Sequence, residues 1–259
     1  VIGAVAVVAV LVVGGFVAMP SSATSGKTGS AGTTSSSQTV TVNSGDSTDT
    51  TLANAVAQKA LPSVVSINVT TSDGEGVGSG VVLDTDGNIV TNYHVIEGAQ
   101  SISVSTGDAS YDATVVGSDE SSDLAVIKID AGDAALTPIE VGDSSTLQVG
   151  DWVMSLGSPF GLEQSVSTGI VSSLYRSTML QNTSGNTIYT NLIQTDATIN
   201  PGNSGGALVD DEGKLVGINS LIESYSGSSS GVGFAIPGNY AVEVAQKLIA
   251  GQTVTHAYI

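Results

Sequence analysis

The chain has 259 residues, with 24 acidic side chains, only six Lys or Arg, and a formal net charge of −18 at pH 7. Binding to phosphate groups requires clustered Lys and Arg, so this balance excludes a nucleic-acid partner and disfavours anionic lipid surfaces. The chain contains no cysteine, so packing must stabilise it without disulfides.

The first 19 residues carry no charged side chain and consist mostly of Val, Ala, Ile, Leu and Gly. As a helix, this segment would be about 28 Å long, which is enough to cross a bilayer. A cleaved signal peptide is the alternative, because residues 21–23 loosely match a cleavage site, but the apolar run exceeds the usual length of about 7 to 15 residues. We therefore predict a transmembrane anchor over residues 1–19, with part of the segment preceding residue 1 and the rest of the chain on the extracytoplasmic side of the cell membrane.

Residues 20–50 are rich in Ser, Thr and Gly and contain almost nothing apolar. Such a segment cannot bury enough surface to offset the entropy lost on ordering. We predict a flexible linker with a root-mean-square reach of about 30 Å.

Short apolar runs separated by turn residues dominate the remainder of the chain. Residues 52–61 have helical spacing and end at Pro62. Twelve β-like runs follow, and an amphipathic helix is predicted over residues 239–251. The predicted strands are residues 64–69, 80–83, 89–92, 102–105, 113–116 and 124–129, followed by 152–156, 166–174, 187–194, 206–209, 214–221 and 233–236.

These runs predict an all-β fold of two antiparallel six-stranded β-barrels with short flanking helices. The first barrel and its N-terminal helix are assigned to residues 51–135. The second barrel and its C-terminal helix are assigned to residues 136–259. A ligand site is expected in the cleft between the two barrels.

Two local patterns resemble binding motifs but lack their defining features. The run at residues 84–88 has its glycine at the wrong position for a calcium loop and no closing glutamate, so it predicts a hairpin turn. The alternating Gly74, Gly76, Gly78 and Gly80 do not match a dinucleotide fingerprint, and they predict a loose loop leading into a strand. We predict no metal or cofactor site, because two isolated histidines and no thiol leave only scattered carboxylates.

The strongest chemical signal is a serine set between glycines, in the run Gly-Asn-Ser-Gly-Gly at residues 202–206. A hydroxyl becomes a good nucleophile only when a base takes its proton, and the chain offers only His94 and His256 as bases of suitable pKa. His94 follows a predicted strand, and Asp123 stands at the start of another. We predict that His94, Asp123 and Ser204 form a catalytic triad, while His256 lies at the surface.

The order and context of these residues separate the candidate folds. An α/β-hydrolase elbow needs a strand before the serine and a helix after it, whereas here a loop precedes Ser204 and a strand-turn-strand pattern follows. A subtilisin-type site needs an Asp before the His. The chymotrypsin order of His, Asp and Ser remains. In that arrangement the backbone N–H groups of Gly202 and Ser204, with Asn203 between them, form the oxyanion hole.

Five blocks of the sequence resemble the HtrA serine proteases of the DegP and DegS type. They are TNYHV at 91–95, DLAVIKI at 123–129, GSPFGL at 157–162, QTDA at 194–197 with INPGNSGG at 199–206, and GFAIP at 233–237. One departure is Tyr93, where the family commonly has a small polar residue. The resemblance implies a chymotrypsin-type fold, protein quality control as the function, unfolded or misfolded proteins as substrates and a homotrimer. It also implies a PDZ domain beyond residue 259.

The resemblance further implies where substrate binds. The residue six positions before the serine lies at the base of the specificity pocket in trypsin-like enzymes, and here it is Thr198, with no acid beside it. We predict that the pocket prefers a small aliphatic residue before the cleaved bond. The predicted substrate-binding residues are Thr198, Ile199, Asn200, Ser220, Leu221 and Ile222.

A second hypothesis stays open at this point. The same fold could act as a chaperone-like holdase or a regulatory binding module with a latent or inactive protease site. The presence of His94, Asp123 and Ser204 together favours the enzyme.

Overall fold

The computed structural model of the chain describes residues 51–107, 109–132, 134–158, 164–182, 185–222 and 231–256. The predicted anchor at residues 1–19 and the predicted linker at residues 20–50 lie outside these ranges. None of the helices within them combines the length and the apolar character needed to span a membrane.

The folded part begins with helix α1 (Leu52–Ala60), which ends where the sequence predicts. The Thr51 side chain caps its first turn by accepting a hydrogen bond from Asn54 N at 3.3 Å. Pro62 follows in a short 3₁₀ turn, Leu61–Ser63, which leads into the first strand.

The first barrel closes from six antiparallel strands in the order β1-β2-β3-β6-β5-β4. A four-residue helix, α2 (Tyr93–Ile96), follows β3. The strands are β1 (Val64–Thr70), β2 (Glu75–Val82), β3 (Asn88–Thr91), β4 (Ser101–Thr106), β5 (Ala109–Asp119) and β6 (Leu124–Ile129).

Strand β2 begins at Glu75, so Gly74 precedes it as predicted, whereas Gly76 and Gly78 lie within the strand and not in a loose loop. Gly78 and Gly80 recur with the period of a strand, and their missing side chains make room for neighbours. A Cβ on Gly78 would lie 2.5 Å from Val95, and one on Gly80 would lie 2.6 Å from Ile89. These glycines therefore permit close packing across the sheet.

The second barrel repeats the strand order of the first. Its closed order, β10-β11-β12-β9-β8-β7, matches that of the first barrel when its strands are counted from β7. Helix α3 (Gly238–Ile249) follows the last strand, and Gly251 beyond it has φ +67°, as expected after a helix end. The strands are β7 (Trp152–Gly157), β8 (Ser165–Asn182), β9 (Gly185–Thr195), β10 (Ala207–Val209), β11 (Leu215–Ile222) and β12 (Gly233–Pro237).

A large cluster of buried side chains contains residues of both barrels and so holds the two barrels together. Strand β6 shows how: Ala125 and Ile127 face the interior of the first barrel, while Leu124 and Val126 join a cluster with Leu156 of the second barrel. Successive side chains of a strand point to opposite faces, so a strand buried on both faces needs a continuous apolar run. The prediction of two six-stranded antiparallel barrels with flanking helices is confirmed.

Candidate active site

The turn that precedes Asp123 fixes its backbone conformation and so the direction of its side chain. The Asp119 side chain caps the 3₁₀ turn Glu120–Ser122 by accepting from Ser122 N at 3.0 Å. Asp123 follows in the left-handed conformation with φ +55°, which Asp adopts more readily than most residues with a side chain. The side chain is 1% exposed, so its carboxylate requires donors from the protein.

Those donors come from both barrels. The backbone N–H of His94 donates to Asp123 Oδ1 at 3.0 Å, and the ring Nδ1 lies 2.9 Å from both carboxylate oxygens. The hydroxyl of Ser220 on β11 donates to Oδ2 at 2.7 Å. The imidazole is thus held through Nδ1, which leaves Nε2 as the ring nitrogen for chemistry.

The backbone of Asp123 adds a second attachment to the histidine segment. Its carbonyl oxygen accepts from Asn92 Nδ2 at 2.9 Å and from Tyr93 N at 3.1 Å. The ends of β3 and the turn before β6 are therefore joined through both the backbone and the side chain of one residue.

Ser204 lies at the end of a tight turn. Asn203 N donates to Asn200 O at 2.9 Å, with Pro201 and then Gly202 at φ +100° between them, the pattern of a type II turn. Within the described ranges, the backbone N–H groups of Gly202 and Ser204 donate to no protein acceptor. The turn thus carries two unengaged donors beside the hydroxyl.

The side chains of His94 and Ser204 open into one cavity of about 300 Å³. The hydroxyl of Ser204 donates to the carbonyl oxygen of Ser220 at 3.1 Å. Apolar side chains of both barrels form part of the walls, and among the residues that the structure describes no Asp, Glu, Lys or Arg lines the cavity. The lining residues are Gly76, Val77, His94, Val95, Ile199, Asn200, Pro201, Gly202, Ser204 and Ser220.

The other predicted substrate-binding residues are placed as follows. Ile199, Asn200 and Ser220 line the cavity, whereas Thr198 is not part of its wall. The Thr198 backbone instead donates to Ser167 Oγ at 2.9 Å. Leu221 and Ile222 continue β11 beyond Ser220, and their side chains lie outside the described part of the structure.

His256, which we expected at the surface, is only partly exposed. Its side chain is 23% exposed, and Nε2 lies 2.9 Å from both carboxylate oxygens of Asp119. Helix α3 packs against β5 and β6, so the segment that follows it reaches the turn before Asp123.

A second cavity of about 300 Å³ lies on the other side of that turn, lined by Ser122, Tyr189 and His256 among others. Burial, with the nearby negative charges of Asp123, Glu120 and Glu97, raises the pKa of Tyr189 to about 12. The negative charges around this cavity therefore favour the neutral form of the Tyr189 side chain.

Residue-level sequence reasoning missed Ser79, Val77 and Val95. Val77 and Val95 form the first-barrel wall of the cavity that holds His94. Ser79 is fully buried, and its hydroxyl donates to Gly202 O at 2.6 Å. The glycines around Ser79 were the available signal, because they indicate a place where two backbones come close.

The chain is similar to known proteins in both sequence and fold. A family model described as a trypsin-like peptidase domain matches residues 78–218. Over 182 residues, the chain is 49% identical to Protease Do-like 1, chloroplastic, of Arabidopsis thaliana, covering 70% of this chain and 41% of that protein. It is 43% identical over 219 residues to the periplasmic pH-dependent serine endoprotease DegQ of Escherichia coli, covering 74% of this chain and 47% of the relative.

A solved structure of the HtrA-type protease AlgW with a tripeptide superposes with a TM-score of 0.71 at 43% identity, covering 78% of this chain and 65% of that one. The chain spans less than half the length of the two sequence relatives. The family model matches more than half of the chain, and the relatives and the structure agree with it. The chain therefore belongs to the trypsin-like peptidase family, within its HtrA group of serine proteases.

Proposed function

We propose that the chain is a serine endopeptidase that cleaves unfolded or misfolded proteins outside the cytoplasm. The observation that carries this proposal is the shared cavity of His94 and Ser204, with the imidazole held through Nδ1 by the buried Asp123. The two halves of the folded region, 51–135 and 136–259, would each supply one side of the site.

In the proposed reaction, His94 Nε2 takes the proton of Ser204 Oγ while the oxygen attacks the carbonyl carbon of a peptide bond. The imidazolium then protonates the leaving amine, and the acyl group stays on Ser204. Water, deprotonated by the same histidine, releases the second product. Asp123 holds the ring tautomer and stabilises its positive charge.

The negative charge of the tetrahedral intermediate needs donors that are already in place. The N–H groups of Gly202 and Ser204 donate to no acceptor in the described residues and are adjacent to the nucleophile, with Asn203 between them. We assign them as the oxyanion hole, with each donor contributing about 3 kcal/mol to transition-state stabilisation.

The nucleophile must turn before it reacts. Its proton is directed to the carbonyl oxygen of Ser220 at 3.1 Å, so attack requires a rotation that redirects it to His94. A rotation about one side-chain bond is fast and needs no backbone movement.

The cavity supports a preference for small aliphatic residues before the cleaved bond. Val77, Val95 and Ile199 contribute apolar surface, and the described part of the lining contains no Asp or Glu. A buried Lys or Arg of a substrate would find no partner there, which is costly.

The finer features of the family are proposed for this chain as well. Residues 1–19 would anchor it in the cell membrane with the protease on the extracytoplasmic side, and residues 20–50 would tether it. DegQ is named as periplasmic and the Arabidopsis relative as chloroplastic, which supports a site of action outside the cytoplasm. A homotrimer and a PDZ domain beyond residue 259 rest on the family resemblance.

The test compares the full chain with its Ser204→Ala variant on fluorescently labelled casein. We expect the wild type to release fragments and the variant to release none. Suppression of casein aggregation without cleavage, equal in both proteins, would favour the holdase hypothesis and contradict this proposal.

A further inference from the structure

Ser79 joins the first barrel to the turn that carries the nucleophile. It lies on β2 and is fully buried. Its backbone N–H donates to Ser204 O at 2.8 Å, and its hydroxyl donates to Gly202 O at 2.6 Å. Its own carbonyl accepts from Thr91 Oγ1 at 2.7 Å, so it is itself held firmly.

The same hydroxyl also receives a hydrogen bond. The backbone N–H of Ser158, just after β7, donates to Ser79 Oγ at 2.8 Å. Ser158 is 6% exposed, so water has little access to this junction. One hydroxyl therefore links β2, the end of β7 and the turn at Gly202. The directions of both hydrogen bonds follow from the partners, because the N–H of Ser158 can only donate and the carbonyl of Gly202 can only accept.

These bonds act on the peptide groups around the proposed oxyanion site. The carbonyl of Gly202 belongs to the peptide group between the two donors, the N–H groups of Gly202 and Ser204. Gly202 at φ +100° and Gly205 at φ +83° give this stretch a backbone that could rotate easily. The hydrogen bonds from Ser79 restrain the carbonyl groups of Gly202 and Ser204. They thereby restrain the direction in which the N–H groups of these two residues point.

We infer that Ser79 is a positioning residue for catalysis, whose hydroxyl holds the turn at Gly202 in the geometry that binds the oxyanion. This inference rests on the proposed function. Ser79 does not line the active-site cavity, so it acts through Gly202 and not on the substrate.

The test variant is Ser79→Ala in the full chain, assayed on a chromogenic peptide ester. Removal of the hydroxyl leaves Gly202 O and Ser158 N unpartnered, so the turn relaxes. We expect kcat to fall by about 10- to 100-fold, because small misplacements at a reacting centre have effects of this size, while KM stays within about twofold.

A transition-state probe separates positioning from general damage. A peptide aldehyde adds to Ser204 Oγ, its carbonyl becomes an oxyanion, and the hydroxyl proton passes to His94; the matching peptide alcohol binds without that step. We expect Ser79→Ala to lose affinity for the aldehyde by the same factor as kcat and to keep its affinity for the alcohol.

Ser66 provides a matched control. It is the cross-strand partner of Ser79 on β1, is 2% exposed, and its hydroxyl has no hydrogen-bond partner in the described part of the chain. Ser66→Ala should keep the wild-type kcat. If thermal unfolding shows that Ser79→Ala does not fold, Ser79→Cys replaces it. The cysteine side chain is similar in size to serine, but its thiol is only a weak hydrogen-bond donor.

The outcomes are distinct. A wild-type kcat in folded Ser79→Ala or Ser79→Cys, a change confined to KM, or an equal loss in Ser66→Ala would overturn the role of Ser79 and leave the proposed function standing. A wild type that hydrolyses no peptide ester and binds no aldehyde would remove both.

Discussion

The hydroxyl of Ser220, on a strand of the second barrel, donates to Oδ2 of Asp123 in the first barrel at 2.7 Å. This bond and the ring of His94 share one buried carboxylate. The two halves of the proposed active site are thus connected at Asp123, as well as at the turn that carries Ser204. The carbonyl of the same Ser220 accepts the hydroxyl of Ser204, so one residue contacts both ends of the proposed triad.

Ser220→Ala should lower kcat by about tenfold, because Asp123 then loses a donor in a site that excludes water and the imidazole is less firmly oriented. Peptide hydrolysis across a range of substrate concentrations measures this effect. Ser145→Ala, at an exposed position whose hydroxyl donates to Asp143, is the control and should match the wild type. A wild-type kcat for Ser220→Ala would show that the bond has no positioning role.

Gly205→Ala should destabilise the fold severely. Gly205 has φ +83°, and a Cβ there would lie 2.2 Å from the carbonyl oxygen of Ser79 and 2.3 Å from Thr91 Oγ1. We expect a loss of at least about 3 kcal/mol in the free energy of unfolding, from conformational strain and steric overlap together. Urea denaturation of the full chain measures it.

Gly98→Ala is the matched control for that substitution. Gly98 has φ +68°, but nothing lies within 4 Å of the added Cβ, so only the conformational strain of about 1 kcal/mol remains. Equal losses in the two variants would contradict the claim that the backbones of Ser79 and Gly205 approach too closely for a side chain.

Cleavage should follow small aliphatic residues such as Val and Ala, because Val77, Val95 and Ile199 give the cavity apolar surface and its described lining contains no Asp or Glu. A peptide library with one varied position before the cleaved bond, analysed by mass spectrometry, measures the preference. Predominant cleavage after Lys or Arg would contradict the assignment of this cavity as the specificity pocket.

The stability of the fold should decrease in alkali between about pH 10 and pH 12. Burial first, and then the negative charge of Asp123, raises the pKa of Tyr189 to about 12, whereas an unfolded tyrosine titrates near 10. The folded state therefore holds its proton over a range in which the unfolded state has released it, and stability falls as pH rises through that range. Chemical denaturation at several pH values measures the slope.

Tyr189→Phe should flatten this alkaline slope, although Tyr240, whose pKa is also raised by burial, keeps part of it. The comparison uses each protein's own unfolding free energy at pH 8 as its reference. An unchanged slope in the variant would show that Tyr189 ionises in the folded protein as it does in the unfolded chain.

Most of the strands can be predicted from the local pattern of apolar residues in the sequence. The run at Val64–Thr70 alternates between two apolar surfaces, and the equivalent run at Leu124–Ile129 does so as well. The far part of the β8–β9 hairpin was missed, because residues 175–186 are mainly polar and show no alternation that marks a strand. Apolar periodicity along the sequence indicates which residues of a strand are buried, and a mainly polar run carries little of that signal.

The residues of the candidate site likewise include some that the local sequence indicates and others that it does not. His94 and Ser204 stand in local sequences that indicate chemistry. Ser79 and Ser220 do not, because their importance comes from partners 123 and 97 positions away in the chain, Gly202 and Asp123. Contacts of that kind depend on how the two barrels pack together, which a single sequence does not display.

The most direct test of the central claim is covalent labelling by a fluorophosphonate, with the labelled residue located by mass spectrometry in the wild type, His94→Ala, Asp123→Asn and Ser204→Ala. We predict a single label on Ser204 in the wild type, none in Ser204→Ala, and labelling slowed by about 10⁴-fold or more in the other two variants, since triad members act as a unit. A label on another residue, or wild-type labelling rates in His94→Ala, would contradict it.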